Sequence, residues 1–231
     1  MPKTLIIIPT YNEGDSIIRL IEVLLLGNEN TDVLVVDDGA DETAAFVREK
    51  QKNESKLFLI KREGKGGRGT AVIEGFKFAL ARDYQFIAEM DADFSHDPHE
   101  FKKLMAVAGD NTMVIGSRNV RGSKIVNWPL GRRIFHKLAN IYADFILGIG
   151  IHDYTNGYRI YGRTALEKLD ISKIKQRGYI VLSEISHQLF KKGVKFVEVP
   201  ILFIHRRGNS NFSLKEVIEA FLSVLRIRFN S

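Results

Sequence analysis

Along the first hundred residues, short apolar runs alternate with segments whose apolar residues recur at helical spacing. Residues 4–8, 32–36, 56–60 and 84–87 are rich in β-branched and aromatic side chains and predict strands. The run Leu5-Ile6-Ile7-Ile8 is continuous rather than alternating, which suits a central parallel strand covered on both faces. Between the strands, Ile17, Leu20, Ile21, Leu24 and Leu25 predict a helix capped by Asp15 or Ser16 and ending near residue 26. Further helices are predicted from residues 41–43 to about 51, and over 70–81. The β-α-β-α-β-α-β alternation makes an α/β fold, a doubly wound and mostly parallel sheet flanked by helices.

The pattern continues with a helix over about 99–107, a strand at 113–116 and an irregular stretch at 120–128. A long helix follows over 130–147, then a turn and short strand within 153–161, and helices at 164–169 and 181–191. Residues 195–199 predict a strand that 201–205 extends past Pro200. A turn at 206–210 precedes a last amphipathic helix over about 213–229, capped by Ser213. Neither a repeat nor a linker interrupts the chain, so a single domain over 1–231 is expected.

Ligands of such sheets bind beyond the carboxyl ends of the strands. Those ends carry Pro9, Tyr11 and Glu13; Asp37 and Asp38; a glycine-rich loop at 64–69; and Asp91-Ala92-Asp93. Asp91 and Asp93 leave a strand with their carboxylates on one side, because alternate residues of an extended chain point the same way. Paired hard oxygen ligands suit Mg²⁺ or Mn²⁺, and through it a diphosphate. One such cluster reads equally well as solvated loop carboxylates; four on one rim describe a site. The net charge of +6 favours anionic partners without choosing among them. The absence of cysteine excludes disulfides and thiolate metal sites. No apolar run approaches the roughly 18 residues of a membrane span, and the first residues lack a signal-peptide pattern.

With these residues in view, the chain resembles the family 2 inverting glycosyltransferases of the GT-A type, and among them the dolichyl- and polyprenyl-phosphate mannosyltransferases. The likeness runs in order through Ile8-Pro9-Thr10-Tyr11-Asn12-Glu13, Val35-Val36-Asp37-Asp38-Gly39 and Met90-Asp91-Ala92-Asp93 with Ser95-His96-Asp97-Pro98. It continues through Gly116-Ser117-Arg118, Asp153-Tyr154-Thr155-Asn156-Gly157-Tyr158-Arg159 and Arg206-Arg207-Gly208-Asn209-Ser210. The resemblance implies that Pro9, Tyr11, Glu13, Asp37, Asp38 and Ala92 bind the nucleotide sugar. It implies that Asp91 and Asp93, with Ser95, hold Mg²⁺ or Mn²⁺. Arg118, Arg132, His136 and one of Arg206 and Arg207 would meet the acceptor phosphate, Arg118 also serving catalysis with the two aspartates. The implied reaction moves mannose from GDP-mannose to a polyprenyl phosphate such as dolichyl phosphate, at the cytoplasmic face of a membrane and with a possible anchoring partner protein. UDP-glucose, or a saccharide acceptor, is the alternative.

The chain departs from the family pattern in places. Ala40-Asp41-Glu42-Thr43 is shorter than usual and lacks a glycine, Asn211 replaces a lysine, and Asp144 replaces a commonly basic residue. These keep an inactive scaffold among the readings. A nucleic-acid-binding protein is disfavoured because basic and acidic residues intersperse and no binding module is present. A nicotinamide enzyme is disfavoured because its glycine loop would follow the first strand, not the third. Elsewhere, Lys65 reads as a solvated loop residue, His96 as a turn stabiliser and Arg159 as a brace on Asp153. Glu184 is expected to face the acceptor or an internal arginine.

Overall fold

The computed structural model describes residues 3–64, 66–176, 178–206 and 214–230. Its centre is a sheet of seven strands: β1 (Thr4–Thr10), β2 (Thr31–Asp37), β3 (Leu57–Lys61), β4 (Phe86–Glu89), β5 (Thr112–Ser117), β7 (Arg159–Gly162) and β8 (Lys195–Pro200). Their order across the sheet is β3-β2-β1-β4-β7-β5-β8. All run parallel except β7, which inserts antiparallel between β4 and β5. Leu5 and Ile7 of β1 point into one apolar core and Ile6 and Ile8 into the other, which is why its run is unbroken. Helices α1 (Gly14–Gly27), α2 (Thr43–Gln51) and α4 (Phe101–Met105) cover the second core; α3 (Arg68–Leu80), α5 (Leu130–Leu147), α6 (Arg163–Glu167), α7 (Val181–Lys191) and α8 (Leu214–Asn230) cover the first.

Four sequence expectations change. β1 runs through Pro9 instead of stopping before it. Beyond Ile7 the strand pairs with β2 alone, so a residue without an N–H sits where its β4 side is open. Residues 201–205 do not extend β8. After Pro200 the chain leaves the main sheet, and β9 (Leu202–Ile204) pairs in parallel with β6 (Lys124–Val126), a strand inside the stretch expected to be irregular. The first helix starts at Gly14, so its N-cap position falls on Glu13 and not on Asp15 or Ser16. Its entry is held from the next helix instead, with Glu13 N–H donating to Thr43 Oγ1 (2.9 Å) and Gly14 N–H to Asp41 (3.4 Å). Ser213 and residues 207–212 lie outside the described residues, as does Lys65.

Candidate active site

Strand order reverses between β1 and β4, which opens a crevice at their carboxyl ends. Tyr11 lies there, 42% exposed, beside the start of α1. Asn12 takes a left-handed φ of 58°, and Gly39 packs against it so closely that a Cβ would meet its nitrogen at 2.7 Å. This contact explains why glycine must follow Asp37-Asp38. Ala92 is buried, and its carbonyl accepts from Ser16 Oγ (3.0 Å), tying the Asp91–Asp93 turn to α1.

The acids at the strand ends are engaged by cations. Asp37 has no exposed surface; it accepts from Thr10 Oγ1 (2.7 Å) and Lys61 Nζ (2.7 Å). Asp38 receives the Arg62 fork (2.6 and 2.5 Å) and the N–H groups of Gly66 and Gly67 (3.1 and 3.2 Å). The glycine-rich loop therefore folds onto Asp38. Asp91 Oδ1 accepts from Arg68 Nε (2.9 Å). Burial, the largest single influence, would raise the Asp91 carboxyl, but the Arg68 charge and hydrogen bond, with the neighbouring His96 and Arg118, together hold the group below the usual carboxylate range. Asp93 is half-buried, and its Oδ1 accepts from the Ser95 N–H (2.9 Å). Ser95 itself is buried, so its main chain is what orients Asp93.

His96 is fully buried and stacked on Tyr158. Its Nε2 is 2.7 Å from Asn156 Oδ1, and its Nδ1 faces the Asp91 N–H (3.4 Å). These partners require a neutral ring with the proton on Nε2. The residue thus buttresses the backbone of Asp91, in keeping with the turn-stabilising role expected of it.

A second cluster lies beyond β5. Arg118 grips Asp153 through Nε and Nη2 (both 2.8 Å) and reaches Thr155 Oγ1 (2.8 Å). Its guanidinium also stacks near Trp128 and Phe203. Arg132, one of two α5 side chains here, sits 4.8 Å from the Trp128 ring centroid and 3.1 Å from His205 Nε2. His136, the other, faces Asn119 and Asn140 amides. Arg206 reaches across to the Phe94 carbonyl (3.1 Å), next to Asp93. Arg118, Arg132 and His136 are brought together, Arg206 connects to the aspartate turn, and Arg207 lies outside the described residues. Arg159 does not brace Asp153; it is buried, donating to the carbonyls of Asn156, Leu182 and Tyr154 and to Ser186 Oγ. Glu184 accepts from the N–H groups of Lys175 and Gln176, and among the described residues no arginine pairs with it.

Burial, reinforced by Arg118 and Arg132 and opposed by Asp153, lowers the His136 imidazole from 6.5 to about 4. Unfolding restores the ordinary value, so the unfolded chain takes up a proton first as pH falls. His136 therefore withdraws stability between pH 6.5 and 4. The melting temperature of His136→Asn is expected to fall less over that window than that of the parent; equal falls would refute the assignment.

Sequence reading missed Arg62, Arg68, Trp128 and His205. The glycine loop drew notice for its lysine, whereas Arg68 is the residue whose guanidinium enters the cleft.

A mostly parallel sheet with acids at its switch point and clustered arginines beside them defines an α/β enzyme domain that handles anionic ligands. The chain belongs to the glycosyl transferase family 2, which matches residues 5–170. It is 39% identical to the polyprenol monophosphomannose synthase of Mycolicibacterium smegmatis, over 96% of this chain and 85% of that one. It is 36% identical to the undecaprenyl-phosphate mannosyltransferase of Micrococcus luteus, over 97% and 93%. Its fold is similar to that of the glucosyl-3-phosphoglycerate synthase of Mycobacterium tuberculosis, solved with Mn²⁺ and UDP, at TM-score 0.68 and 17% identity over 99% of this chain and 79% of that one.

Proposed function

We propose that the protein transfers mannose from GDP-mannose to a polyprenyl phosphate, with inversion at the anomeric carbon. The observation that carries this reading is the juxtaposition of two clusters: the aspartate turn at the β4 end and the arginine group around Asp153, bridged by Arg206. The two mannosyltransferase relatives support it.

Tyr11, Glu13 and the Asp38 loop would border the nucleotide. Asp91 and Asp93 offer hard anionic oxygens that fit Mg²⁺ or Mn²⁺, and they are the residues that would hold it, their turn set by Ser95 and Ala92. Such a cation, when bound, neutralises the leaving diphosphate. The acceptor phosphate oxygen bonds to the anomeric carbon as the bond from that carbon to the diphosphate oxygen breaks. The nucleophile is already anionic, so no side chain has to remove a proton. Positioning matters instead, and Arg118, Arg132 and Arg206 are suited to it. His136, neutral at physiological pH, offers hydrogen bonding there without adding charge.

The outer face of α5 supports a lipid acceptor. Leu130, Ile134, Leu138, Ile141 and Phe145 are exposed along it, while Arg132 and His136 of the same helix join the arginine cluster. α8 packs beside α5 through Tyr142 and Phe221 and adds exposed Ile218, Leu222 and Phe229. Among the described residues no helix is long and apolar enough to cross a membrane. Two adjoining apolar faces suit a helix pair lying in a bilayer interface, and this reading needs no anchoring partner. The test is labelled-sugar transfer from GDP-mannose and UDP-glucose, run side by side, to a polyprenyl phosphate in anionic vesicles. Label is expected from GDP-mannose. Leu138→Ser/Phe145→Ser should lower transfer to the vesicle-embedded acceptor and spare transfer to a short soluble one. Label from UDP-glucose alone would overturn the donor assignment, and equal loss on both acceptors would overturn the membrane face.

A further inference from the structure

Arg68 is a cation of the donor cleft that the mechanism leaves without a task. It enters from the first turn of α3, after Gly67 with a left-handed φ of 86°. Its Nε donates to Asp91 Oδ1 (2.9 Å), Nη1 to Glu89 Oε2 (2.9 Å) and Nη2 to the Gly157 carbonyl (3.2 Å). Glu89 has no exposed surface, and its other oxygen accepts from the Tyr161 hydroxyl (2.7 Å). One guanidinium thus serves two carboxylates, one of which belongs to the Asp-x-Asp pair. The cradle is shaped for it: a Cβ on Gly157 would fall 1.9 Å from Nη2.

We propose that Arg68 is a resident counter-cation that holds Asp91 while the donor is absent, so that a divalent metal is bound well only together with the nucleotide's diphosphate. The inference rests on reading Asp91 and Asp93 as the residues that hold that metal. Two further facts support it. Among the described residues, no three His, Cys, Asp or Glu side chains gather where they could hold a metal unaided, so the remaining ligands come from water or from the donor's phosphates, and the phosphates carry the charge that binds it tightly. The fork on Asp91 and Glu89 is nearly buried, with the Arg68 side chain 11% exposed, so a metal reaching Asp91 Oδ1 competes with a charge-assisted hydrogen bond. Arg68 is in these terms a positioning residue: it sets the order in which cation and nucleotide enter.

The test reads Mn²⁺ binding by its electron paramagnetic resonance signal, first without nucleotide and then with GDP. Arg68→Gln/Glu89→Gln keeps the formal charge of the cleft and frees Asp91. Gly157→Ala removes no charged group; it pushes the guanidinium from its cradle, at a position whose φ an alanine tolerates. The parent is expected to bind Mn²⁺ weakly alone and about tenfold or more tightly with GDP, the scale of ordinary coupling between sites. Both variants should bind Mn²⁺ alone about tenfold more tightly than the parent and gain correspondingly less from GDP. Folded variants that bind Mn²⁺ alone as weakly as the parent would overturn the proposal and leave Arg68 a structural partner of Glu89. Should the double variant fail to fold, Gly157→Ala decides alone. If GDP leaves Mn²⁺ binding by the parent unchanged, the donor-site reading itself fails, and the proposal falls with it.

Discussion

Replacing Asp93 with asparagine is expected to lower mannose transfer by about 10²- to 10³-fold, the usual penalty for losing one preorganised group that stabilises developing charge. The substitution is nearly isosteric. The introduced amide would keep an oxygen for the Ser95 N–H, which Asp93 now accepts at 2.9 Å, so the turn should hold its shape. What is lost is an anionic oxygen, and with it a hard ligand for the cation on the leaving diphosphate. Melting temperature should change little while kcat/KM for GDP-mannose collapses. A folded Asp93→Asn enzyme with near-parental transfer would remove the aspartate turn from the mechanism.

Asp153→Ala should produce the largest loss of stability. The carboxylate has no exposed surface and gathers the Arg118 N–H, Nε and Nη2, with the N–H groups of Thr155 (3.3 Å) and Asn156 (3.1 Å). Burial by itself would raise its pKa, yet the Arg118 charge and hydrogen bonds hold it well below the usual carboxylate range. Truncation leaves a guanidinium that is 7% exposed without its counter-ion, a defect that costs about 3–5 kcal/mol when one member of a buried pair is removed. Urea denaturation at pH 7 measures it. Since the native pKa is depressed, this contribution is complete above the ordinary carboxylate value near 4 and is lost as pH falls below it. The variant's deficit against the parent should accordingly shrink in acid. A deficit below about 1 kcal/mol at pH 7, the scale of an exposed pair, would show that Asp153 does not anchor the cluster.

Wherever one strand's local pattern decides the structure, the sequence is readable. The unbroken apolar run of β1 and the helical spacing of α5 and α7 correspond to elements found at nearly the expected positions. The acids at the strand ends are legible for the same reason, since strand exits on a parallel sheet share one rim. Partnerships across the chain are not. β6 is three residues long and exists because β9, far along the chain, pairs with it. The cap of α1 comes from Thr43 and Asp41, so no residue beside the helix signals it. Arg159 has the motif position expected of a brace on Asp153, but β7 turns it into the core, and Arg118 from β5's exit takes that place. Arg68 shows the limit most sharply. A glycine-rich loop suggests phosphate contact, and only the fold reveals that its arginine reaches back to Glu89 and Asp91.

The central claim is that a lipid phosphate, held by arginines, is itself the nucleophile. It is tested most directly by offering labelled GDP-mannose, with Mg²⁺, a polyprenyl phosphate and the matching polyprenol in the same detergent. The account predicts label in the phosphate alone, because the alcohol brings no charge for Arg118, Arg132 and Arg206 and would need a base, for which His136, lowered to about 4, is too weak. Comparable labelling of the alcohol, or labelling of neither while GDP-mannose is bound, would contradict it.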